Sequence, residues 1–310
     1  MRNRLPSPRT VADIDGQIAK VIRGLGHPEP PLQLHSVREL LKLDRSYYST
    51  TDDGLLREMF SRLKVGAKQV LARPTILRDA ISSLNLKALY LPDEKRILLD
   101  QDVPQLKHRW NEAHEIGHDI IPWHAGMMWG DTEQTLTPSC HEEMEAEANY
   151  AAGRLLFLAD RFEGEAEAME IGLTQVRALA VAFGNTVTST LWRYVEQAHR
   201  GRPMAALVTG HPHPSKRKPG FDPKDPCRYY VRSPEFARRF GNVLHTALFA
   251  RVVEYCGSQR GGTLGSNDIV LADANGETHL FRFETFYNGY EALTLGVWLR
   301  RHEVVVAFRC

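Results

Sequence analysis

Asn111-Glu112-Ala113-His114-Glu115-Ile116-Gly117-His118 is the stretch from which the rest of the chain is read, together with Glu145-Ala146-Glu147-Ala148-Asn149 further on. Leu106, Trp110, Ala113, Gly117 and Ile120 recur at helical spacing, and Pro122 stops that helix one turn past His118. On a helix, His114 and His118 lie one turn apart on the same face. Two imidazoles stacked in that way can both reach one ion through Zn–N bonds of about 2.0–2.1 Å. Glu115, beside the first histidine, puts a carboxylate where it can take a proton from water. Gly117 has no side chain to hold off a close neighbour.

A His-Glu-x-x-His pattern also arises on ordinary surface helices, so its reading as a zinc-peptidase motif turns on a third ligand. A catalytic zinc keeps three protein ligands and one position for water. Residues 140–158 supply a second helix, on which Met144, Ala148, Ala151, Leu155 and Leu158 form one apolar stripe. Glu145 and Glu147 flank that stripe on opposite sides, and spacing does not choose between them. Asn149, one turn from Glu145, is placed to orient it. His124 stands where an extended form of the motif carries a third histidine. That form needs a glycine where this chain has Ile121, so His124 is expected near the cleft or on the surface.

The two segments together, with the Ala-rich helix running from Tyr150 to Leu158, resemble the ImmA/IrrE-type zinc metallopeptidases over residues 75–200. The approach Arg109-Trp110-Asn111-Glu112-Ala113 is also similar, with Trp-Asn in place of the family's common Phe-Thr. The resemblance implies Glu145 as the third zinc ligand beside His114 and His118. It implies Glu115 as the general base that hands water's proton to the leaving amine. It further implies an endopeptidase with a narrow protein substrate, often a transcriptional repressor.

Composition sets the wider bounds. A chain of 310 residues suggests two or three domains, and 43% hydrophobic with 25% charged residues is ordinary for a globular protein. A net charge of +1 provides no global field for nucleic acid or membrane. Cys140, Cys227, Cys256 and Cys310 are scattered, with no Cys-x-x-Cys pair, which favours a reducing compartment and a cytoplasmic protein. The basic N-terminus leads into no apolar signal region. No apolar run approaches the roughly 20 residues of a membrane span.

In chain order, a short amphipathic helix (Val11 to Arg23) precedes a Pro-rich linker from Pro28 to Pro31. Ser36 and Glu39 read as a capping box. Helices follow at Leu55 to Val70 and Ile76 to Leu84, their basic residues reading as a solvated face. A β-hairpin is expected from Leu86–Leu91 and Arg96–Asp100, placed to present an edge to extended substrate. Trp123, Met127, Met128 and Trp129 sit in the loop between the motif helices as core or pocket lining. His141 and Tyr150, close to Glu145, read as structural, with oxyanion donation as the alternative. Residues 173–199 read as helix, tight turn, helix, and the run Leu179 to Gly184 resembles the first half of a DNA-binding helix-turn-helix. Arg193 is the only interior basic residue of its second helix, which argues against phosphate contact.

After residue 202 the composition changes. The His- and Lys-bearing loop His211 to Gly220 reads as solvated, and a helix is expected from Pro234 to Gly257. Strands follow at 269–273, 278–286, 292–300 and 303–309, with Asn275-Gly276 as a tight turn. The expectation is an α+β protein: a helical extension (1–50), a mainly helical zincin-like domain with a small sheet (51–202), and an α+β sensor or interaction domain (203–310). Two other functions fit these residues less well. One is a regulatory protein whose zinc only braces helices; the other is a DNA-binding regulator acting through residues 174–199.

Overall fold

The computed structural model describes residues 6–48, 88–91, 94–101, 105–124 and 138–302, an α+β fold in two compact units, Arg4–Ala159 and Asp160–Cys310. Helices expected at 55–70 and 76–84, the tip of the hairpin at 92–93, Met127, Met128 and Trp129, the His141 side chain and the strand at 303–309 lie outside the described residues.

The first unit opens on α1 (Pro8–Gly24), where Ser7 accepts from the Thr10 N–H and Pro8 occupies the first turn. Its buried stripe is Ile14, Ile18 and Val21. Helix α2 (Leu34–Leu41) starts earlier than the capping box implied. Gln33 is its N-cap with no side-chain bond, so Ser36 lies inside the helix and caps nothing. Leu34 and Val37, rather than the later leucines, carry its buried face, and Leu40 is exposed.

A three-stranded sheet follows, ordered β1-β3-β2, from β1 (Asp44–Tyr48), β2 (Ala88–Leu91) and β3 (Arg96–Asp100). β2 and β3 form the expected antiparallel hairpin. The parallel partner β1 was not foreseen, because Asp-Arg-Ser-Tyr-Tyr shows no apolar alternation. As the middle strand, β3 buries Ile97, Leu98 and Leu99 on both faces.

The motif helices are α3 (Gln105–Ile120) and α4 (Pro138–Leu156), and each is the other's main packing partner. Where the two helices pack, Ala113, Ile116 and Ile120 of α3 and Met144, Ala148, Ala151 and Leu155 of α4 are buried. A Cβ on Gly117 would stand 2.9 Å from the Ala148 carbonyl oxygen and 3.3 Å from the Ala151 Cβ. Glycine is what lets the two backbones approach.

The elements within residues 6–48 are tied to the motif helices and to β3. Asp15 on α1 accepts from Tyr150 Oη at 3.0 Å and Arg154 Nε at 2.8 Å, both on α4. Glu112 on α3 accepts from Arg38 Nε at 2.7 Å and Arg45 Nη1 at 2.9 Å. These contacts, with the β1–β3 pairing, bind the first elements to the motif helices.

The second unit carries α5 (Asp160–Glu167), α6 (Leu173–Ala182) and α7 (Val187–Glu196), then a five-stranded antiparallel sheet. Its strands are β4 (Met204–Thr209), β5 (Cys227–Arg232), β6 (Gly262–Ala272), β7 (Thr278–Tyr287) and β8 (Ala292–Arg301), in the order β5-β4-β8-β7-β6. β4 and β5 were not expected as strands. Because α7 packs on β4 and β5, and α6 on β7, the compact units part at 159/160 rather than at 202/203. The helix expected over 234–257 is two helices, α8 (Pro234–Arg239) and α9 (His245–Tyr255), separated by a turn at Phe240–Leu244. Phe236, Phe240, Leu248, Phe249 and Val252 close over Phe281 and Phe283 of β7. The β6–β7 turn is built as read: Gly276 has φ +81, and Asp273 accepts from the Asn275 and Glu277 N–H groups.

Among the described residues no helix is long and apolar enough to cross a membrane, and Cys227 and Cys256 are free thiols.

Candidate metal centre

The one-turn spacing on α3 brings the Nε2 atoms of His114 and His118 to 3.3 Å, with the rings edge-on. From α4, Glu145 places one oxygen 3.2 Å from His114 Nε2 and the other 3.6 Å from His118 Nε2. Donors on a tetrahedron of zinc bonds of about 2.1 Å stand about 3.4 Å apart, so this donor set and spacing fit such an ion. His114, His118 and Glu145 are one of two groups of possible ligands among the described residues. Glu147 is not in that group, so the geometry separates the two glutamates that spacing left open.

The site is closed on the histidine side and open beside Glu145, whose side chain is 40% exposed against 7% for His118. Burial works against charge on both rings. At His114 it is outweighed by hydrogen bonds and charge from Glu145, Glu115 and Asn149, and the pKa is raised. At His118 burial prevails and the pKa is lowered. The Glu145 carboxyl resists its own burial because both imidazoles bond to it, and its pKa lies far below the usual range.

Glu115 is buried beside the two histidines. Burial pushes its carboxyl pKa up; the nearby imidazoles and the Tyr90 backbone N–H pull it down, and burial wins. The β2–β3 hairpin is clipped to the same helix through Asp119, which accepts from Tyr90 Oη and, at 2.7 Å, from Lys95 Nζ.

A second rank of side chains stands behind the rings. Asn149, expected beside Glu145, aims its amide oxygen at His114 Nδ1, 3.2 Å away. Of the two places expected for His124, near the cleft or on the surface, the structure has the first: it is 0% exposed, outside the His114–His118–Glu145 group, with Nδ1 3.0 Å from His118 Nδ1. Its Nε2 lies 2.8 Å from Glu147 Oε2, the same oxygen that accepts from Trp123 Nε1 at 2.7 Å. Burial pushes the His124 pKa down to about 4. The sequence placed Glu147, Trp123 and His124 near the site but held no signal that they join. Tyr150 donates to Asp15 and has a structural partner.

The other polar clusters have structural explanations. Asp273, Glu277 and His279 could hold an ion by distance, but Arg239 Nη2 is 3.1 Å from His279 Nε2, and Arg301 occupies Glu277. His211, expected in solvent, is buried and tied to the Gln259 carbonyl. Arg193, the one basic residue that could have met DNA from α7, is buried and faces Glu196 at 3.4 Å.

Two histidines one turn apart and a glutamate from a facing helix define the class: a helix-borne group that could hold a metal ion. Residues 75–193 match the family of IrrE N-terminal-like domains, Peptidase_M78. Over those residues the chain carries a domain of the ImmA/IrrE family. No curated protein matches the chain. A solved structure of a Mycobacterium tuberculosis transcriptional regulator is similar at 13% identity and a TM-score of 0.49, covering 96% of this chain and 92% of that one. At that level the likeness carries no argument about function.

Proposed function

We propose that the chain is a zinc-dependent endopeptidase that hydrolyses a peptide bond in a narrow protein substrate. The observation that carries this reading is the convergence of two imidazole nitrogens and one carboxylate at 3.2–3.6 Å, with the buried Glu115 next to the first ring. His114, His118 and Glu145 would hold a zinc ion, which would supply Lewis acidity towards water and a peptide carbonyl. Glu115 would accept a proton from the attacking water and return it to the departing amine, a role suited to a carboxyl whose pKa burial has raised. Asn149 holds the His114 ring from behind. A transcriptional repressor is the substrate class that the family resemblance suggests, and the free thiols fit a reducing, cytoplasmic setting.

Glu115→Gln separates holding the metal from using it. Metal analysis of purified protein should find one zinc per chain in wild type and in Glu115→Gln, and none in His118→Ala. New protein N-termini mapped in cells should appear with wild type and vanish with Glu115→Gln. Equal cleavage by the two proteins would remove the role of Glu115, and a zinc-free wild type would remove the centre.

A further inference from the structure

We propose that Glu147, acting through His124, is a positioning residue of the metal centre, fixing the tautomer and ring plane of His118 so that Nε2 presents its lone pair to a divalent cation. This rests on the reading of His114, His118 and Glu145 as a metal site and goes beyond it. The argument is one of proton accounting. An ionised carboxylate only accepts hydrogen bonds. The His124 Nε2, 2.8 Å from Glu147 Oε2, therefore carries a proton. In a neutral ring the other nitrogen is then bare and accepts. His118 Nδ1, 3.0 Å from that bare Nδ1, must be the donor. The one nitrogen of His118 left without a proton is Nε2, which faces His114 and Glu145.

Reasoned from the cation, the chain runs the same way. A ligand nitrogen must have no proton, so His118 must protonate Nδ1, and the group behind it must accept. If His124 donated from both nitrogens, the proton would move to His118 Nε2 and block the ion. Trp123 holds the far end by donating to Glu147 Oε2 at 2.7 Å. The two rings are held unequally: His114 faces a neutral amide, whereas His118 faces an imidazole backed by a carboxylate. A negative charge at the end of the chain makes His118 the more electron-rich ligand.

The test is zinc affinity by competition with a chromophoric chelator on the full chain, for wild type, Glu147→Gln, His124→Asn, the double variant and Glu142→Gln. The last changes an exposed glutamate on the same helix. Each relay variant should bind zinc roughly 10- to 100-fold more weakly, and the double variant hardly more weakly than either. Glu142→Gln should match wild type. In zinc-loaded wild type, 15N spectra of the imidazoles should show His124 protonated at Nε2 and bare at Nδ1. A merely structural network would change stability without moving either readout. Folded Glu147→Gln protein that binds zinc within about twofold of wild type overturns the relay alone, as does a proton on His124 Nδ1. Should Glu147→Gln fail to fold, the tautomer in wild type decides. Wild type that binds no zinc overturns the centre itself, and the relay with it.

Discussion

Glu112 sits two residues before the first histidine of the motif and takes no part in its chemistry. Even so, it is almost fully buried and bonded by both Arg38 and Arg45. A carboxylate removed from water is tolerated only when its lone pairs are met, and here two guanidinium groups meet them. Neutralising it as Glu112→Gln keeps the shape and loses the charge, leaving two arginines facing an amide. We expect a loss of about 1.5–3 kcal/mol in denaturant unfolding, the range for hydrogen bonds to charged groups. Zinc stoichiometry should be unchanged, because the carboxylate does not face His114. A variant as stable as wild type would show that the arginines are equally well served by water. None of this was legible in the sequence: Arg38 and Arg45 lie far back in the chain, and local periodicity says nothing about partners at that distance. His114 and His118 were legible because their relation is local, one helical turn. His124 was expected near the cleft or on the surface and lies beside His118, but its partner Glu147 arrives from another helix and could not be read from local spacing.

At the scale of elements, the seam between α3 and α4 sets the proposed site, since two of the proposed ligands ride on one helix and the third on the other. Gly117 controls how close they come. Gly117→Ala places a Cβ 2.9 Å from a backbone oxygen that has no rotamer to escape through. Overpacking of this kind costs about 1–3 kcal/mol, while the better helix propensity of alanine returns about 1 kcal/mol. The clash wins, and the helices separate. We expect lower thermal stability and weaker zinc binding, because Glu145 moves with α4. Gly16→Ala is the matched control. That glycine is exposed on α1, nothing lies within 4 Å of the added Cβ, and its φ is not positive. It should gain about 0.5–1 kcal/mol. If both glycines responded alike, helix propensity and not the approach of two backbones would be the operating term. Element types followed from the sequence wherever periodicity was strong, as in α1, α3, α4, β7 and β8. They failed where the deciding partner was remote. β1 is a strand only because β3 offers it a parallel edge, and β4 is a fully buried run whose apolar residues carry no alternation. The break between α8 and α9 was hidden because Val243 and Leu244 continue the apolar pattern through the turn at Gly241.

At the scale of the molecule, all the groups assigned to the metal lie in Arg4–Ala159, and each compact unit encloses a hydrophobic core of its own. A ligand that binds only the folded state stabilises what it is bound to by mass action, about 2.7 kcal/mol at a hundredfold excess over its dissociation constant. The energy is delivered where the ligands are. Zinc should therefore deepen amide protection in α3 and α4 and leave the central strands of the second sheet unchanged. Hydrogen exchange on zinc-loaded and chelator-treated protein reads this directly, since amides report local as well as global opening. Loss of zinc should speed exchange around His114, His118 and Glu145, while β7 and β8 keep their rates. Thermal unfolding should correspondingly show two transitions, of which the metal moves one; a single transition is not assumed for a chain with two cores. Were β7 and β8 to lose protection in step with α3, the two units would have to unfold as one. The metal would then be holding the whole chain and not only the helices that carry it.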